Sequence, residues 1–410
     1  MSGRPLRIAM VTEFAYPVLG GVPEHVHNLS RELVAMGHDV TVVTGRLGGN
    51  ALEVDREAER AFGYRTVRLG RSLPMISNGS IARWSFGIGL KARLTAALRD
   101  MDVVHAQALA APTLPLFACR TSAAPVTVGT FHTYLGDGYR RIYETTSPYV
   151  ANALGRLDRM IGVSMPARET FEELFGGRWT IIPNGVDTAA FRPLRAGERR
   201  PAGPPRLLFV GRLEPRNALD TLLDAAAILR QEGRDAIVQV VGDGPAKRRW
   251  QRQARELGLG DSVEWLGPRL GDRPRLYREA TIFCAPCVLA SFGVILLEAL
   301  ATGTPIVCAD NVGFRQVLRD GIPGRFVTPR DPAALAAALG DLLDRERLRE
   351  EWSLRGRTLC EERYGWPAVA GTIAALYEEV LEENGPGRRR LVRPWYGRRR
   401  AGHPHGGDRA

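Results

Sequence analysis

One segment of the sequence combines a glycine-containing loop with a carboxylate. The loop Ser291-Phe292-Gly293-Val294 opens a helical stretch that carries Glu298 and ends at Gly303, a residue type typical just after a helix. Short apolar runs at 280–286 and 306–310 flank it and predict buried strands. In such a βαβ unit the loop and the helix N-terminus bind an anion or a nucleotide, and a carboxylate there can accept hydrogen bonds from both ribose hydroxyls. The alternative is an ordinary surface glutamate on an amphipathic helix.

A glycine pair near the start of the chain is a second candidate anion site. Gly20 and Gly21 lie between a predicted strand at 7–12 and a predicted helix at 23–36, whose apolar residues recur at helical spacing. Glycines at such a turn let backbone amides approach a phosphate closely. Because the spacing differs from that of a dinucleotide fingerprint, the pair predicts a phosphate loop of another kind.

Both candidate loops need parallel strands to position them. Strands are predicted at 7–12, 39–44, 66–69, 103–106, 126–131 and 160–163 in the first half, and at 206–210, 236–241, 263–266, 280–286, 306–310 and 324–329 in the second. Helices alternate with these strands and continue at 331–344, 346–361 and 367–383, and Asn78-Gly79-Ser80 predicts a turn followed by a helix to about Arg99. The alternation predicts two doubly wound α/β domains, joined by a linker at 193–205.

The composition is that of an ordinary globular enzyme. The chain has 410 residues, of which 44% are apolar and 25% charged, a size and balance that suit two domains. Its sequence contains neither an apolar run of membrane-spanning length nor a signal peptide, so we expect a cytoplasmic protein. Five irregularly spaced cysteines do not suggest a disulfide framework. Cys284-Ala-Pro-Cys287 could be a zinc or thiol-redox site, although small buried apolar residues are the more typical explanation.

Most of the positive charge lies in the C-terminal tail. Residues 384–410 hold eight arginines and one aspartate, and so carry +7 of the formal net charge of +11. Arginines beside Trp395 and Tyr396 are typical of a disordered segment that binds an anionic membrane, or of a solvated tail without a partner. The predicted helix around Lys91 and Arg93 is a second candidate membrane contact. Nucleic-acid binding is not expected, because the tail has no further aromatic side chain on which bases could stack.

Short motifs follow one another in order along residues 7–383. They are Gly20-Gly21-Val22, Asn78-Gly-Ser-Ile-Ala-Arg83, Gly129-Thr-Phe-His132-Thr133, Pro183-Asn-Gly-Val-Asp187, Gly211-Arg212, Gly242-Asp-Gly244, Ser291-Phe-Gly293 with Glu298 and Gly303-Thr-Pro305, and Phe314-Arg-Gln-Val-Leu-Arg-Asp-Gly321. Together they resemble the retaining nucleotide-sugar glycosyltransferases with two Rossmann-like domains, most of all the bacterial phosphatidylinositol mannosyltransferases. The resemblance implies the GT-B fold, in which the two domains face each other across a cleft. It implies an acceptor domain at 1–192, a donor domain at 205–365, a helix at 366–383 that returns to the first domain, and a disordered basic tail at 384–410.

The resemblance also implies a reaction. Transfer of mannose or another hexose from a nucleoside-diphosphate sugar builds positive charge at the anomeric carbon and negative charge on the leaving phosphate, so cations and amides must surround the diphosphate. The implied catalytic residues are His132, beside the donor sugar, and Arg212, at the diphosphate. The alternatives are an interior histidine and a surface arginine. Donor binding is implied for Gly21, Arg212, Arg216, Asn217, Ser291, Phe292, Gly293, Val294 and Glu298.

Two positions depart from the family pattern. The family has a glutamate eight residues before Glu298, where this chain has Ala290, and usually a lysine five residues after Arg212, where it has Asn217. A contact to the donor sugar and a cation for the diphosphate are therefore missing, and Arg216 is the candidate to replace the cation. The sequence contains no cluster of metal ligands, although Mg²⁺ could accompany the diphosphate.

The expected function is a retaining glycosyltransferase that acts on a lipid-linked or glycan acceptor at the cytoplasmic face of the membrane. The alternative, motivated by Ala290 and Asn217, is a catalytically weak nucleotide-sugar-binding protein that serves as a subunit or regulator. His132, Arg212 and Glu298 favour the enzyme.

Overall fold

The computed structural model describes residues 4–18, 20–48, 51–77, 80–109, 113–133, 150–269, 271–318 and 323–385. Its strands are β1 (Arg7–Val11), β2 (Asp39–Arg46), β3 (Arg65–Ser77), β4 (Ser80–Phe86), β5 (Val103–Gln107), β6 (Val126–Phe131), β7 (Arg159–Gly162), β8 (Trp179–Ile181), β9 (Arg206–Val210), β10 (Ile237–Val241), β11 (Val263–Gly267), β12 (Ile282–Ala285), β13 (Ile306–Ala309) and β14 (Arg325–Val327). Its helices are α1 (Gly21–Ala35), α2 (Ala51–Phe62), α3 (Leu90–Ala97), α4 (Leu114–Thr121), α5 (Met165–Phe175), α6 (Leu219–Gln231), α7 (Lys247–Glu256), α8 (Arg273–Glu279), α9 (Val294–Ala301), α10 (Phe314–Val317), α11 (Pro332–Asp344), α12 (Glu346–Leu359) and α13 (Trp366–Asn384).

The N-terminal domain is built on a sheet with β1 near its centre. Within the described residues eight strands form it, in the order β4-β3-β2-β1-β5-β6-β7-β8. Neighbours pair in parallel, except for an antiparallel hairpin of β3 and β4 at one edge. Ile8 and Met10 of β1 pack in one apolar cluster, and Ala9 and Val11 pack in another. Both faces of the strand are therefore covered, as expected for a parallel sheet between helices.

The C-terminal domain repeats the same plan. Six strands of the described chain form its sheet, in the order β11-β10-β9-β12-β13-β14, and every pair is parallel. Strand β9 lies between β10 and β12, just as β1 lies between β2 and β5, so the strand order reverses at both positions. Ligands of open parallel sheets bind beyond the carboxyl ends of the strands at such a reversal. The loops after β1, β9 and β12 are therefore the expected binding loops.

The last helix, α13, returns to the N-terminal domain, as the resemblance implied. Its buried residues Trp366, Ile373 and Val380 pack in the same apolar cluster as the residues of β1 and α1. At its far end Arg159 of β7 forms an ion pair with Glu379 at 2.9 Å. The helix is thus fixed to the first sheet by apolar burial along its length and by charge near its end.

Two segments that pass between the domains lie side by side. Val186 pairs with Gly365 in an isolated parallel bridge, and the Val186 amide donates a hydrogen bond to the Tyr364 carbonyl oxygen at 2.7 Å. The ring of Trp366 covers Gly185 so closely that an added Cβ would lie 2.5 Å from it. The first crossing segment, at Gly185 and Val186, is therefore held directly against the second, at Gly365 and Trp366.

The prediction of a helix from Ser80 to about Arg99 is wrong in its first half. Residues Ser80–Phe86 form β4, whose pairing with β3 extends from Ser77 opposite Ser80 to Arg71 opposite Phe86. An asparagine-glycine dipeptide between two runs of strand composition is the typical signal of a two-residue hairpin, and it was interpreted only as a turn. Helix α3 begins at Leu90. The dipeptide itself and the basic tail at 386–410 lie outside the described residues.

Candidate active site

A cleft opens between the N-terminal ends of α1 and α9, one helix from each domain. Its empty space, open solvent included, is about 360 Å³, and its walls include Gly21, Glu24, His25, Asn184, Val294 and Glu298. The amides and the positive dipole end of a helix N-terminus favour an anion. The structure therefore brings three of the predicted site residues, Gly21, Val294 and Glu298, to one space.

Glu298 is buried in this cleft, with 3% of its surface exposed, so it is not the surface residue of the alternative interpretation. Its Oε1 forms an ion pair with Arg273 Nη2 at 2.8 Å. Its Oε2 has no hydrogen-bond partner among the described residues. Burial raises the pKa of Glu298 to about 7, and the neighbouring Arg273 guanidinium opposes that rise. One oxygen of the carboxyl is held by a cation, and the other can accept a hydrogen bond from a ligand.

The loop before α9 depends on Gly293. Its φ of +113° is one that side chains rarely adopt, and an added Cβ would lie 2.8 Å from the Phe314 ring. The Phe292 side chain is buried in the core of the domain and anchors the loop. The Ser291 carbonyl oxygen accepts a hydrogen bond from the Ser164 hydroxyl of the other domain at 2.7 Å. The loop is thus fixed by apolar packing on one side and by the opposite domain on the other.

Arg212 and Arg216 lie in the loop after β9 and share one carboxylate. Arg212 Nη2 is 2.8 Å from Glu214 Oε1, and Arg216 Nε is 3.2 Å from Glu214 Oε2. The Glu214 side chain is 8% exposed, whereas those of Arg212 and Arg216 are 46% and 50% exposed. A buried carboxylate therefore orients two half-exposed guanidinium groups at the end of a central strand.

The two departures from the family pattern have structural consequences. Asn217 Nδ2 donates to the Arg212 carbonyl oxygen at 2.6 Å, and the Cys287 thiol lies 3.3 Å from Asn217 Oδ1. Asn217 thus connects the loops after β9 and β12 but supplies no charge. Ala290 is half-buried and packs against the apolar core. The backbone carbonyl of Ala290 is covered by Gly313, where an added Cβ would lie 2.1 Å away.

His132 ends a chain of hydrogen-bonded side chains inside the N-terminal domain. Its Nε2 is 2.8 Å from Gln107 Oε1, and Gln107 Nε2 is 3.1 Å from His105 Nε2. His105 Nδ1 is in turn 2.6 Å from the Tyr377 hydroxyl of α13. With the Gln107 amide nitrogen facing His105, the proton of His132 lies on Nε2, and Nδ1 carries the lone pair. Burial lowers the pKa of both histidines, so His132 is neutral.

His25 connects His132 to the cleft. The two rings meet edge to face, with 4.7 Å between their centroids, and His25 also contacts the Trp366 ring at 5.1 Å. His25 Nδ1 is 3.0 Å from Asn184 Oδ1, and burial lowers the pKa of His25 to about 4. The neighbouring imidazole is therefore uncharged as well.

Sequence reasoning did not identify several residues of this site. Glu24, His25 and Asn184 line the cleft, and Arg273 and Gln107 hold predicted site residues. Asn184 belongs to a motif that the sequence does display. His105 is fully buried and belongs to the series of hydrogen-bonded side chains behind His132. The others stand in ordinary amphipathic or apolar patterns, and only the fold brings them to the cleft.

The candidate zinc or thiol-redox pair, Cys284 and Cys287, lies in the core of the C-terminal domain. In the part of the chain that the structure describes, no group of three or more His, Cys, Asp or Glu side chains could hold a metal ion. Cys284 and Cys287 are free and buried, and burial raises the pKa of both thiols. These cysteines therefore match the interpretation as small core residues. No described helix is long and apolar enough to span a bilayer.

Two family models match the chain, one after the other. The model for glycosyltransferase family 4 matches residues 19–190, and that for glycosyl transferases group 1 matches residues 191–359. The phosphatidyl-myo-inositol mannosyltransferase of Mycobacterium leprae (strain TN) is 34% identical over 387 residues, which cover 92% of this chain and 97% of that relative. The chain belongs to this glycosyltransferase family. The family resemblance inferred from the motifs is confirmed, and the protein is an enzyme that transfers a glycosyl group.

Further relatives of this glycosyltransferase carry two different names. The phosphatidyl-myo-inositol mannosyltransferase of Propionibacterium freudenreichii subsp. shermanii is 33% identical, with 91% of this chain and 94% of the relative covered. The D-inositol 3-phosphate glycosyltransferase of Acidothermus cellulolyticus is 29% identical, with 92% and 91% covered. Among solved structures, Anabaena HepE has a TM-score of 0.73 at 18% identity, with 91% of this chain and 99% of that chain covered. The sucrose-phosphate synthase of Thermosynechococcus elongatus has a TM-score of 0.69 at 22% identity, covering 92% and 100%. These structures confirm the GT-B fold.

Proposed function

We propose that this glycosyltransferase moves a hexose, mannose in the first place, from a nucleoside-diphosphate sugar to a lipid-linked acceptor with retention of the anomeric configuration. The observation that carries the proposal is the cleft, where the N-terminal ends of α1 and α9 face one space beside the buried carboxylate of Glu298. The names of the mannosyltransferase relatives support mannose as the sugar and an inositol lipid as the acceptor.

In this proposal the donor binds through its ribose and its diphosphate. Glu298 accepts hydrogen bonds from the ribose hydroxyls through the oxygen that is unpartnered among the described residues. The amides around Gly293 and Gly21 and the guanidinium groups of Arg212 and Arg216 bind the diphosphate. Because Glu214 already holds both arginines, their charges are pre-oriented and need little reorganisation when the phosphate leaves.

His132 acts at the sugar. The bond from the anomeric carbon to the phosphate oxygen breaks, and the acceptor hydroxyl forms the new bond on the same face, which retains the configuration. The acceptor proton passes to the departing phosphate oxygen. A neutral His132 can accept a hydrogen bond from a sugar hydroxyl through Nδ1, and it does not repel the positive charge that builds at the anomeric carbon. A protonated histidine would oppose that charge.

The acceptor and the membrane belong to the same proposal. The arginine-rich tail, with Trp395 and Tyr396, has the composition of a segment that binds anionic lipid at the cytoplasmic face. The exposed Lys91 and Arg93 of α3 add positive charge on the N-terminal domain. A lipid-linked acceptor would then reach the cleft from the membrane surface.

A catalytically weak nucleotide-sugar-binding protein is the second candidate, and one observation favours it. Asn217 stands where the family usually has a lysine, and the two remaining cations of this loop both pair with Glu214. The same experiment separates the two candidates, because a catalytically weak protein would bind the donor but turn it over very slowly.

The experiment measures transfer by purified full-length protein with GDP- and UDP-hexoses, on vesicles with and without phosphatidylinositol. We expect turnover of one donor, with retention seen by NMR of the anomeric proton. Arg212→Ala should lower the rate by about 100- to 1000-fold, as does removal of one oxyanion donor elsewhere. Glu298→Ala should mainly weaken donor binding, because a ribose contact is made equally in the ground and transition states.

The controls separate the site from the rest of the molecule. Arg234→Ala removes an arginine that pairs with Asp344 on the surface, and it should leave the rate unchanged. A truncation after Glu383 should lower transfer on anionic vesicles and not on a soluble acceptor. Binding of a donor without any turnover would favour the regulator, and full activity of Arg212→Ala would remove that residue from the mechanism.

A further inference from the structure

Arg273 joins the two domains through a single nitrogen. Its Nη2 is 2.8 Å from Glu298 Oε1 on α9, and 3.1 Å and 3.0 Å from the two carboxylate oxygens of Glu24 on α1. The Arg273 side chain is 17% exposed, and its guanidinium lies over the Phe191 ring, 5.5 Å from the centroid. The cation is thus fixed between a carboxylate of the C-terminal domain and one of the N-terminal domain.

The same pair leaves one donor and one acceptor without a partner. Arg273 Nε and Glu298 Oε2 are both buried and make no hydrogen bond to any described residue. Buried polar groups are almost always hydrogen-bonded, so an orphaned donor beside an orphaned acceptor points to a ligand. A hydroxyl donates and accepts at once, and the vicinal hydroxyls of a ribose offer two of each.

We propose that Arg273 is a positioning residue for nucleotide binding: it holds the Glu298 carboxylate against the ribose and, through Glu24, links that contact to the opposite domain. The inference rests on the proposed role of Glu298. It adds that the affinity for the ribose depends on the N-terminal domain, which contributes Glu24.

The charges around Glu298 determine the direction in which each substitution should shift its pKa. Arg273 and Tyr277 face the carboxyl from α8, Glu24 and His25 from α1, and Asp187, itself paired with Arg31, lies farther along the cleft. Burial raises the pKa of Glu298 to about 7, the Arg273 charge lowers it, and the Glu24 charge raises it. Loss of Arg273 should therefore raise the pKa of Glu298 further, whereas loss of the Glu24 charge should lower it.

The pKa values of His25, Tyr277 and Asp187 are shifted away from this range. Burial lowers the pKa of His25 to about 4 and raises the pKa of Tyr277. Burial opposes ionisation of Asp187 too, but the hydrogen bonds that it accepts from backbone amides and from Arg31, together with the Arg31 charge, lower its pKa. Compared with these three groups, Glu298 is the one whose pKa lies near 7. Its ionised form accepts hydrogen bonds from both ribose hydroxyls, so the ribose contact should be strongest above the pKa and weaken as the pH falls through it.

The test compares two ligands on the full-length protein. Calorimetry gives the Kd of GDP or UDP, whichever binds more tightly, and of its 2′,3′-dideoxy counterpart between about pH 6 and 8.5. The phosphates of both ligands titrate alike, so the ratio of the two Kd values isolates the ribose hydroxyls. In the wild-type protein we expect a ratio of about tenfold or more at high pH, which corresponds to about 1.4 kcal/mol, with a midpoint near pH 7.

The variants should move this midpoint in opposite directions. Arg273→Gln should shift it to higher pH and reduce the ratio at pH 7, Arg273→Lys should restore part of it, and Glu24→Gln should shift it to lower pH. Arg275→Gln is the matched control, because Arg275 lies on the same helix and pairs with Glu279. A purely structural defect would weaken both ligands alike and would leave the ratio unchanged.

The outcomes distinguish the two proposals. A wild-type ratio near one at every pH would remove Glu298 from ribose binding and the inference with it. A normal wild-type ratio whose midpoint moves in neither Arg273→Gln nor Glu24→Gln would overturn the inference alone. If Arg273→Gln does not fold, the shift in Glu24→Gln decides, because that variant keeps the Arg273–Glu298 pair.

Discussion

The orientation of His132 depends on buried side chains that do not line the cleft. The chain from Tyr377 through His105 and Gln107 fixes the proton on one ring nitrogen, with links of 2.6 to 3.1 Å. Such a chain matters because the ring is neutral, and a neutral imidazole offers a donor on one side and an acceptor on the other. The last helix thereby contributes to the candidate site through the Tyr377 hydroxyl, although Tyr377 is 272 residues away from His105 in sequence.

Gln107→Met tests this arrangement at the residue scale. Methionine keeps the length of the side chain but removes the acceptor for His132 Nε2, so the ring loses its fixed orientation. Leaving a buried donor unpaired costs about 1–3 kcal/mol, and we expect kcat to fall by about 10- to 100-fold with little change in donor KM. Steady-state kinetics on the best donor measures both constants.

Tyr377→Phe is the companion variant, since it breaks the chain at its far end. It should lower the thermal stability and affect kcat less than Gln107→Met does. Equal kcat values for Gln107→Met and the wild-type protein would contradict the positioning of His132 by this chain.

Single residues could be predicted from the sequence only where their local position determines their role. Glu298 stands early in a helix that follows a strand and a glycine-containing loop, and any βαβ unit places such a carboxylate at the cleft. Arg273 stands in a short helix beside Arg275 and Arg278, and no local pattern separates the three. Its partner Glu24 is 249 residues away in sequence, so only the packing of the two domains reveals it.

At the scale of elements, two helix N-termini face the cleft with glycines of different kinds. At Gly21 an added Cβ would meet nothing within 4 Å, whereas Gly293 has a φ of +113° and its Cβ would lie 2.8 Å from Phe314. Gly21 is therefore open towards the cleft, and Gly293 is required by the backbone of its loop.

Alanine at these two positions should have opposite consequences. Gly293→Ala should lower the free energy of unfolding by about 1–3 kcal/mol, because the backbone conformation is strained for a residue with a side chain. Gly21→Ala should keep the stability and lower donor affinity by about tenfold, since a methyl group hinders approach to the helix amides. Urea denaturation and calorimetric donor titration measure the two quantities. A stable Gly293→Ala, or full donor affinity in Gly21→Ala, would contradict the respective assignment.

Most elements could be predicted because their patterns are strong. Helix α9 occupies Val294–Ala301, where its apolar spacing placed it, and Gly303 follows it with a φ of +69°. The hairpin strand β4 was missed because an edge strand with arginine and serine among its apolar residues lacks the continuous apolar run of a buried parallel strand. Its identity as a strand follows from pairing with β3, which is a tertiary contact.

At the scale of the molecule, the two segments that cross between the domains, one around Val186 and one around Gly365, meet at one point. Val186 and Gly365 form a bridge, and Arg357 of α12 donates to the carbonyl oxygens of Thr188 and Phe191 at 3.0 Å and 2.8 Å. Both crossings are thus tied to the same few residues. We expect the domains to rotate relative to each other about this point, because such a rotation would change the width of the cleft and leave each sheet intact, as in a hinge.

Closure of the cleft on a nucleotide-sugar is the prediction that belongs to this scale. In the proposed binding mode the donor makes its ribose contact with α9 and meets α1 at the opposite wall, so the bound state should favour the arrangement in which both helix N-termini approach the diphosphate. We expect the radius of gyration from small-angle scattering to fall at saturating donor. Arg212→Ala at the same donor concentration serves as the control and should show a smaller change, because less donor binds. An unchanged radius of gyration in wild-type protein at proven saturation would contradict closure and would mean that the domains are already at their working distance, held there by contacts such as Ser164 to Ser291 and Arg273 to Glu24.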